Sequence, residues 1–597
     1  MMKQGQASPY ILFDFADADH GIERKFFSDP VEMIVAWNRN EVRDALRRAE
    51  EWAGRGYYAA GYVSYEAAPA FDPVFSVHRN TVMPLAWFGI FSGYTLGGEP
   101  AGAGDYRLSG WEPAVSEPSY HDNIHKIHEA IARGDTYQVN YTMRLRSQFE
   151  GDAYAFYTRL CKAQQANYSA MLQVGDFSIL SASPELFFRK NGNHLETRPM
   201  KGTAKRGLTV KEDEQLAEWL RQSEKNRAEN VMITDLLRND LGMIAEAGSV
   251  RVPKLFEIEK YYTLFQMTST VTAAAMPGIG IDDIFAALFP CGSITGAPKI
   301  STMNLICELE EAPREIYCGS IGLIRPDGSA VFNVAIRTVW IDHRSSVAEY
   351  GVGGGITWDS TAADEYQEAR TKALMLTEVR PDFELLESIR LENGVYQLLD
   401  QHIARMADSA VYFDFQADQD ALRQALLQHA HEFTAGVRKV RLLLSRTGRI
   451  TVQSEPIAER QGPAKAVLAS SPVSSSDRFL YHKTTNRTAY AQHYEQKGDA
   501  YDVLLWNEKG ELTEFTTGNL VLELNGTKYT PPQDSGLLAG TLRSELIAAG
   551  TVTERTLAIS DISKASHMWL INSVRGWIPV KMLQDNLDRA MNELSVV

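Results

Sequence analysis

The sequence predicts an α+β protein built from two domains, and three observations carry that prediction. The chain has 597 residues, more than one hydrophobic core fills when domains run to roughly 100–200 residues. Strand-like and helix-like runs are mixed without the regular alternation of a doubly wound parallel sheet. The stretch 377–383, "TEVRPDF", ends a long helical pattern at Pro381 and is followed by a new strand-like start. The expected domains are therefore 1–380 and 381–597.

Taken in order, 124–132 has helical spacing, 177–180 reads as a short strand, and 216–241 reads as a helix with a few polar interruptions. The runs 331–341 and 347–352 read as strands. A helix is expected over 362–379, opened by the capping pair Thr361 and Asp364. Past the boundary, 383–402 reads as a strand, a turn at Asn393-Gly394 and a second strand. Further strands are expected at 439–444, 502–506 and 520–524.

Composition excludes several functions. Lys and Arg number 60 against 76 Asp and Glu, a formal charge of −16, which argues against nucleic-acid or anionic-membrane partners. The four cysteines, Cys161, Cys291, Cys307 and Cys318, form no C-x-x-C pair, so buried reduced thiols are expected rather than disulfides or zinc. No apolar run reaches the ~18–20 residues of a membrane span, and 1–23 lacks the apolar core of a secretory signal. The expected location is the cytoplasm.

Two helices and one loop carry unusual chemistry. In "RAENVMITDLLRNDLG", 227–242, Glu229 shares a helical face with Met232, Ile233 and Leu236. A carboxylate on an apolar stripe needs a paired cation or a metal. In "DSTAADEYQEARTKALML", 359–376, Glu365, Glu368 and Lys372 fall on one face. Either that face is solvated, or a cation such as Mg²⁺ separates the two carboxylates. The Gly-rich run 351–355 just before it offers open turn backbone to an anion. Lys201, in "TRPMKGT", is either a surface loop lysine or, if desolvated, a nucleophile.

With "SASPELFF", "PCGSITGAPK", "CGSIGL", "AIRT" and "GVGGGITWDSTAADEYQEA", these segments resemble the chorismate-utilising enzymes, which include anthranilate, aminodeoxychorismate, isochorismate and salicylate synthases. The motifs run in the family's order, mainly over 119–378. The resemblance implies two large β-sheets flanked by helices, with Mg²⁺ held by Glu229, Glu365 and Glu368 and placed on the ring carboxylate of chorismate. It implies that Tyr317, Arg337, Lys372, Thr295 and the backbone of Gly353, Gly354 and Gly355 hold the substrate, and that Glu185 is a general acid/base. Members that place ammonia at C2 carry Ala in "PIAGT", and members that aminate C4 carry Lys in "PIKGT". This sequence has "PMKGT", so Lys201 would be a covalent nucleophile. Gln266 stands where relatives often have His, and a carboxamide cannot shuttle protons near neutral pH. The tryptophan-binding signature of anthranilate synthases is not evident in 1–119. No glutaminase elbow is found, since Cys291 in "PCGSITG" does not fit one. A separate glutaminase subunit, or direct use of ammonia, is implied.

The C-terminal part holds "HIARM", "YHKTTNRTAY", "GELTEFTTGNLVL", "GLLAGTLR" and "NSVRGW". Together they resemble the class IV, pyridoxal 5′-phosphate (PLP)-dependent aminotransferase-like family over most of 383–580. The resemblance implies Lys483 as the Schiff-base lysine and Glu514 as the partner of the pyridine nitrogen. Arg405, Thr541 and Ser573 would hold the phosphate, Asn519 would support the cofactor, and Arg575 would meet a substrate carboxylate. It also implies a homodimer through this domain. Fold resemblance does not choose between transamination and lyase chemistry. The neighbouring domain favours a lyase, so that the two activities would convert chorismate and ammonia to p-aminobenzoate, a folate precursor. The alternatives are an anthranilate- or salicylate-type synthase fused to a true aminotransferase, and one half acting as an inactive binding module.

Overall fold

The computed structural model describes residues 8–17, 21–100, 104–378, 380–458 and 460–583. The chain divides into two compact units, Met1–Lys205 with Ala217–Arg380, and Arg206–Leu216 with Pro381–Val597. No described helix is long and apolar enough to cross a membrane. The described cysteines are all free. Cys291 and Cys318 are buried, whereas Cys161 and Cys307 are half-buried.

The first unit is built on two large, mainly antiparallel sheets, of eleven and ten strands among the described residues. Period-two alternation assigns each face. In Tyr10–Asp17, Ile11, Phe13 and Phe15 point into a core shared with strands of the other sheet, while Leu12 joins the helices outside. In Ala86–Phe91, Trp87 and Phe91 enter the shared core while Ala86, Phe88 and Ile90 face helices. Helices Glu117–Ala132, Ala153–Gln164 and Lys299–Leu309 cover the eleven-stranded sheet. Helices Arg39–Gly54, Glu224–Gly242 and Ile281–Leu288 cover the other. The layering is helix, sheet, sheet, helix.

Two departures shape the first site. The run 331–341 is not one strand: Ala330–Val334 belongs to the ten-stranded sheet and Thr338–Asp342 to the eleven-stranded one. The chain crosses at Arg337, whose φ of 52° breaks the extended path. The glycines of 351–355 form no turn but lie within strand Val347–Ile356, paired with Gln138–Gly151 so that Gly353 faces Thr142 and Gly355 faces Asn140. Close strand approach explains these residues: a Cβ on Gly353 would fall 2.0 Å from the Tyr141 carbonyl oxygen.

The region 216–241 is also two elements, Val210–Gln222 and Glu224–Gly242, because the Ser223 hydroxyl accepts from the Asn226 N–H and opens a new helix. The helix expected over 362–379 runs Ala362–Ala373 and ends in a 3₁₀ turn, Leu374–Leu376, while Val379 lies outside the described residues. Thr361 caps it by accepting from the Asp364 N–H at 3.2 Å.

In the second unit a four-stranded sheet holds Leu385–Glu392, Val395–Tyr396, Val437–Leu444 and Ile450–Pro456. The hairpin at Asn393-Gly394 is present, both residues having positive φ. Its second strand is only two residues long, because 399–413 repeats apolar residues at helical spacing and forms helix Leu399–Phe413. An eight-stranded sheet partly closes on itself. Leu512–Phe515 pairs with both Asp502–Trp506 and Gly518–Leu524, bringing Glu514 opposite Asn519.

Candidate active sites

In the first unit a cavity of about 500 Å³ brings together Glu185, Lys201, Glu229, Tyr317, Arg337, Gly353, Gly354, Gly355, Glu365, Glu368 and Lys372. Lys201 is on strand Met200–Lys205, after which Gly202 takes a φ of 91° that a side chain would strain. Burial lowers the Lys201 pKa, with Glu229 opposing and Lys372 adding to the shift. Glu185 follows strand Phe177–Ser183 and is 2% exposed. Burial pushes its pKa up to about 7, against the pull of Ser293 and Lys201, and its Oε1 has no hydrogen-bond partner.

Helix Ala362–Ala373 presents the opposite wall. Lys372 Nζ donates to the Gly353 carbonyl at 2.8 Å and pairs with Glu368 at 2.7 Å, which holds the Glu368 pKa down. Ser360 donates to Glu365 at 2.6 Å. Burial raises the pKa of Glu365 and of Glu229 on helix Glu224–Gly242. A Cβ on Gly354 would sit 3.0 Å from Glu365 Oε2 and 3.8 Å from Glu368 Oε1, so both carboxylates converge over bare backbone. Among the described residues, no three His, Cys, Asp or Glu side chains are close enough to hold a metal by themselves.

Arg337 donates to Gln164 at 3.0 Å, and the Tyr317 ring packs where a Gly351 side chain would be. Thr295 departs from expectation. It does not line the cavity, and its hydroxyl is turned to the Cys291 carbonyl at 3.2 Å, while Ser293 lines the wall instead. Gln266 lines the cavity and donates to the Gly202 carbonyl at 2.8 Å. The Cys291 thiol, beside Ser293 at 3.2 Å, is pushed by burial to about 12 and stays unreactive. Trp219, Lys225, Asn226 and Asn140 also line the cavity but carry no spacing signal in the sequence.

In the second unit a cavity of about 520 Å³ gathers Arg405, Lys483, Glu514, Asn519, Thr541, Ser573 and Arg575. Burial, reinforced by Arg405, lowers the Lys483 pKa to about 8. Glu514 is 4% exposed and burial raises its pKa to about 7. It accepts from Tyr490 at 2.8 Å, from Asn519 at 3.0 Å and from the Leu538 N–H at 3.1 Å. Arg405, on helix Leu399–Phe413, grips Glu387 at 2.8 and 2.6 Å and also donates to the Ala539 carbonyl. Burial alone would raise Glu387, but Arg405 and His402 hold it at about 2.

Thr541 opens helix Thr541–Ala548 and lies 3.2 Å from His402. Ser573 donates to the Ser388 carbonyl at 3.3 Å, and Arg575 to the Ala458 carbonyl at 2.9 Å. Sequence reading missed Tyr490 and Arg487, the latter bonded to the Thr516 carbonyl. The "NRTAY" run contained both, seven and four residues after Lys483, but nothing in the spacing pointed to Glu514.

The fold and the two cavities describe a pair of enzyme domains on one chain. The chorismate binding enzyme family model matches residues 99–378, and the class IV amino-transferase model matches 384–583. The first unit therefore carries a chorismate-binding enzyme domain and the second a class IV aminotransferase domain. The chain is 40% identical over 268 residues to aminodeoxychorismate synthase component 1 of Salmonella typhimurium, covering 45% of this chain and 59% of that protein. It is 37% identical over 266 residues to anthranilate synthase component 1 of Aquifex aeolicus, covering 45% and 53%. The crystal structure of anthranilate synthase component I from Streptococcus pneumoniae matches with a TM-score of 0.54 at 25% identity, covering 63% of this chain and 94% of that one. The chain thus spans little more than half the length of these curated relatives.

Proposed function

We propose that the chain makes p-aminobenzoate for folate synthesis in two steps, amination of chorismate at C4 and then elimination of pyruvate. The observation that carries the first step is Lys201, an amine with its pKa lowered by burial, in one cavity with the protonatable Glu185. The Lys201 amine forms a bond to C2 as the C4–O bond breaks, and Glu185 gives the leaving hydroxyl a proton, releasing water. Ammonia then forms the C4–N bond while the Lys201–C2 bond breaks, its electron pair returning to Nζ. Glu185 recovers its proton from the new amine. Lys372, Arg337 and the strand backbone at Gly353 to Gly355 orient the anionic substrate.

The donor set fits Mg²⁺. Glu365 and Glu368 converge over Gly354, Glu229 lies in the same cavity, and burial penalises the ionised forms of Glu229 and Glu365, a cost that a bound cation would offset. Mg²⁺ takes one or two carboxylates and completes its shell with water and ligand anions. When bound, it would neutralise the substrate's ring carboxylate.

The second cavity fits PLP. Lys483 holds an amine with a lowered pKa, Glu514 a buried acceptor for a protonated pyridine nitrogen, and Thr541 with Ser573 two hydroxyls suited to a phosphate. PLP supplies an electron sink at the amine-bearing carbon. Lys483 Nζ removes the proton from that carbon, the C3–O bond to the enolpyruvyl group breaks as the ring becomes aromatic, and the proton passes from Lys483 to the departing enolpyruvate to give pyruvate; Asn519 and Tyr490 keep Glu514 oriented, and Arg575 meets a carboxylate. The preceding amination favours pyruvate elimination over transamination at this site. A separate glutaminase supplies ammonia in the cytoplasm, a reading supported by the relatives' designation as a component 1, and the second unit forms a homodimer.

Product analysis with chorismate, ammonium, Mg²⁺ and PLP tests the reading. p-Aminobenzoate with pyruvate is expected. o-Aminobenzoate would instead establish amination at C2, and accumulated 4-amino-4-deoxychorismate would remove the lyase step.

A further inference from the structure

His402, on helix Leu399–Phe413, is fully buried, and both of its ring nitrogens are engaged. Nδ1 lies 2.6 Å from Glu387 Oε2, and Nε2 lies 3.2 Å from Thr541 Oγ1. Glu387, on strand Leu385–Glu392, is the buried carboxylate that Arg405 grips, and it is ionised at neutral pH. An ionised carboxylate only accepts, so the ring carries its proton on Nδ1. Burial lowers the His402 pKa, Arg405 and Lys483 add to that shift, and Glu387 opposes it, so the ring is neutral in the cofactor-free protein. On helix Thr541–Ala548, Arg543 pairs with Glu554 and Glu545 accepts from Gln401 at 3.4 Å, which leaves Thr541 as the group this helix sets against the ring.

A neutral ring protonated on Nδ1 offers only a lone pair at Nε2. Thr541 therefore spends its one hydroxyl proton on His402 and turns lone pairs toward the cavity it lines. A phosphate dianion is itself acceptor-only, so that contact would set lone pair against lone pair. A second proton on the ring reverses the chain. Nε2–H then donates to Thr541, and the Thr541 hydroxyl is freed to donate to the phosphate. The charge balance favours this reversal. Glu387 and Arg405 offset one another, and a dianion in the same cavity stabilises an imidazolium. We propose that His402 takes up a proton as the cavity binds a phosphate monoester, and that it thereby positions Thr541 as a donor to the phosphate. The inference rests on the reading of this cavity as a PLP site. His402 acts through Thr541 and is a positioning residue. Its ring is more basic with phosphate bound than without, so affinity falls as pH rises through the bound-state value.

The full chain, freed of PLP, is titrated with pyridoxine 5′-phosphate, which has no aldehyde to react with Lys483. At about pH 7.5 its phosphate, with a second pKa of about 6, is already a dianion. Calorimetry in phosphate-free buffers of differing ionisation enthalpy counts the protons taken up on binding. The same count in His402→Gln and His402→Leu subtracts the contributions of Lys483 and Glu514, which line the same cavity. The unaltered chain is expected to take up about one proton more per ligand than either variant. Its Kd should also rise with pH more steeply than theirs, by up to about tenfold per pH unit. Equal uptake in all three proteins, or Kd profiles of equal slope, overturns the assignment. If neither variant folds, pyridoxine, which lacks the phosphate, replaces them as the reference. The unaltered chain should take up about one proton less with it, and equal uptake with the two ligands overturns the assignment. If the unaltered chain binds no pyridoxine 5′-phosphate, the PLP reading falls and takes this inference with it.

Discussion

Asn519 stands opposite Glu514 across a tight β-turn, and its carboxamide donates to Glu514 Oε2 at 3.0 Å and to the Leu538 carbonyl at 2.8 Å. The pair fixes the carboxylate in one orientation although burial favours its protonated form. Replacing Asn519 with Ala removes one charge-assisted hydrogen bond, worth about 1.5–3 kcal/mol. PLP affinity should fall about 10- to 100-fold. Titration of the apo-protein with PLP measures it, and an unchanged affinity would detach Glu514 from cofactor binding.

Glu185 is a proton donor only while protonated, and its pKa is raised to about 7. Amination at constant free ammonia should therefore decline as pH rises through about 7, the acid form being lost above that value. Glu185→Gln should lower the rate about 10²- to 10⁴-fold and flatten that limb of the profile. If the limb persists in the variant, another group donates the proton.

Lys483 captures an aldehyde only as the free amine. Burial lowers its pKa to about 8, against an ordinary lysine value of 10.5. Below about 8 it is protonated and slow, and above about 8 it is neutral. The rate of PLP capture by the apo-protein should rise with pH and level off above about 8, read from the visible Schiff-base absorbance. A rate still climbing at pH 10 would mean that the amine is not desolvated. Lys483→Ala should show no such absorbance.

Much of both sites was legible because their residues sit in short, chemically demanding segments. Lys201, Glu229, Glu365, Glu368 and Lys372 meet in one cavity, as do Lys483, Glu514 and Asn519. What stayed hidden depends on long-range pairing. The run 331–341 has uniform strand propensity, and no local signal says that it changes sheets at Arg337. Thr295 is implied as a substrate ligand by the family resemblance alone. The backbone turn around it, invisible in sequence, uses that hydroxyl internally.

The glycines of strand Val347–Ile356 separate packing from chemistry. A Cβ on Gly353 would fall 2.0 Å from the Tyr141 carbonyl oxygen, a backbone atom held by the sheet. Gly353→Ala must spread two paired strands and should cost about 1–3 kcal/mol or more, seen as a lower melting temperature of the first unit. A Cβ on Gly354 would instead meet Glu365 Oε2 at 3.0 Å, the movable end of a side chain. Gly354→Ala should change the melting temperature little but displace that carboxylate, raising the Mg²⁺ concentration needed for half-maximal amination by about tenfold. The second unit, with its own core and cavity, should show unchanged PLP absorbance in both variants. Equal loss of stability in both would mean that Gly354 is required for strand packing, and an unaltered Mg²⁺ requirement in Gly354→Ala would place the metal away from Glu365.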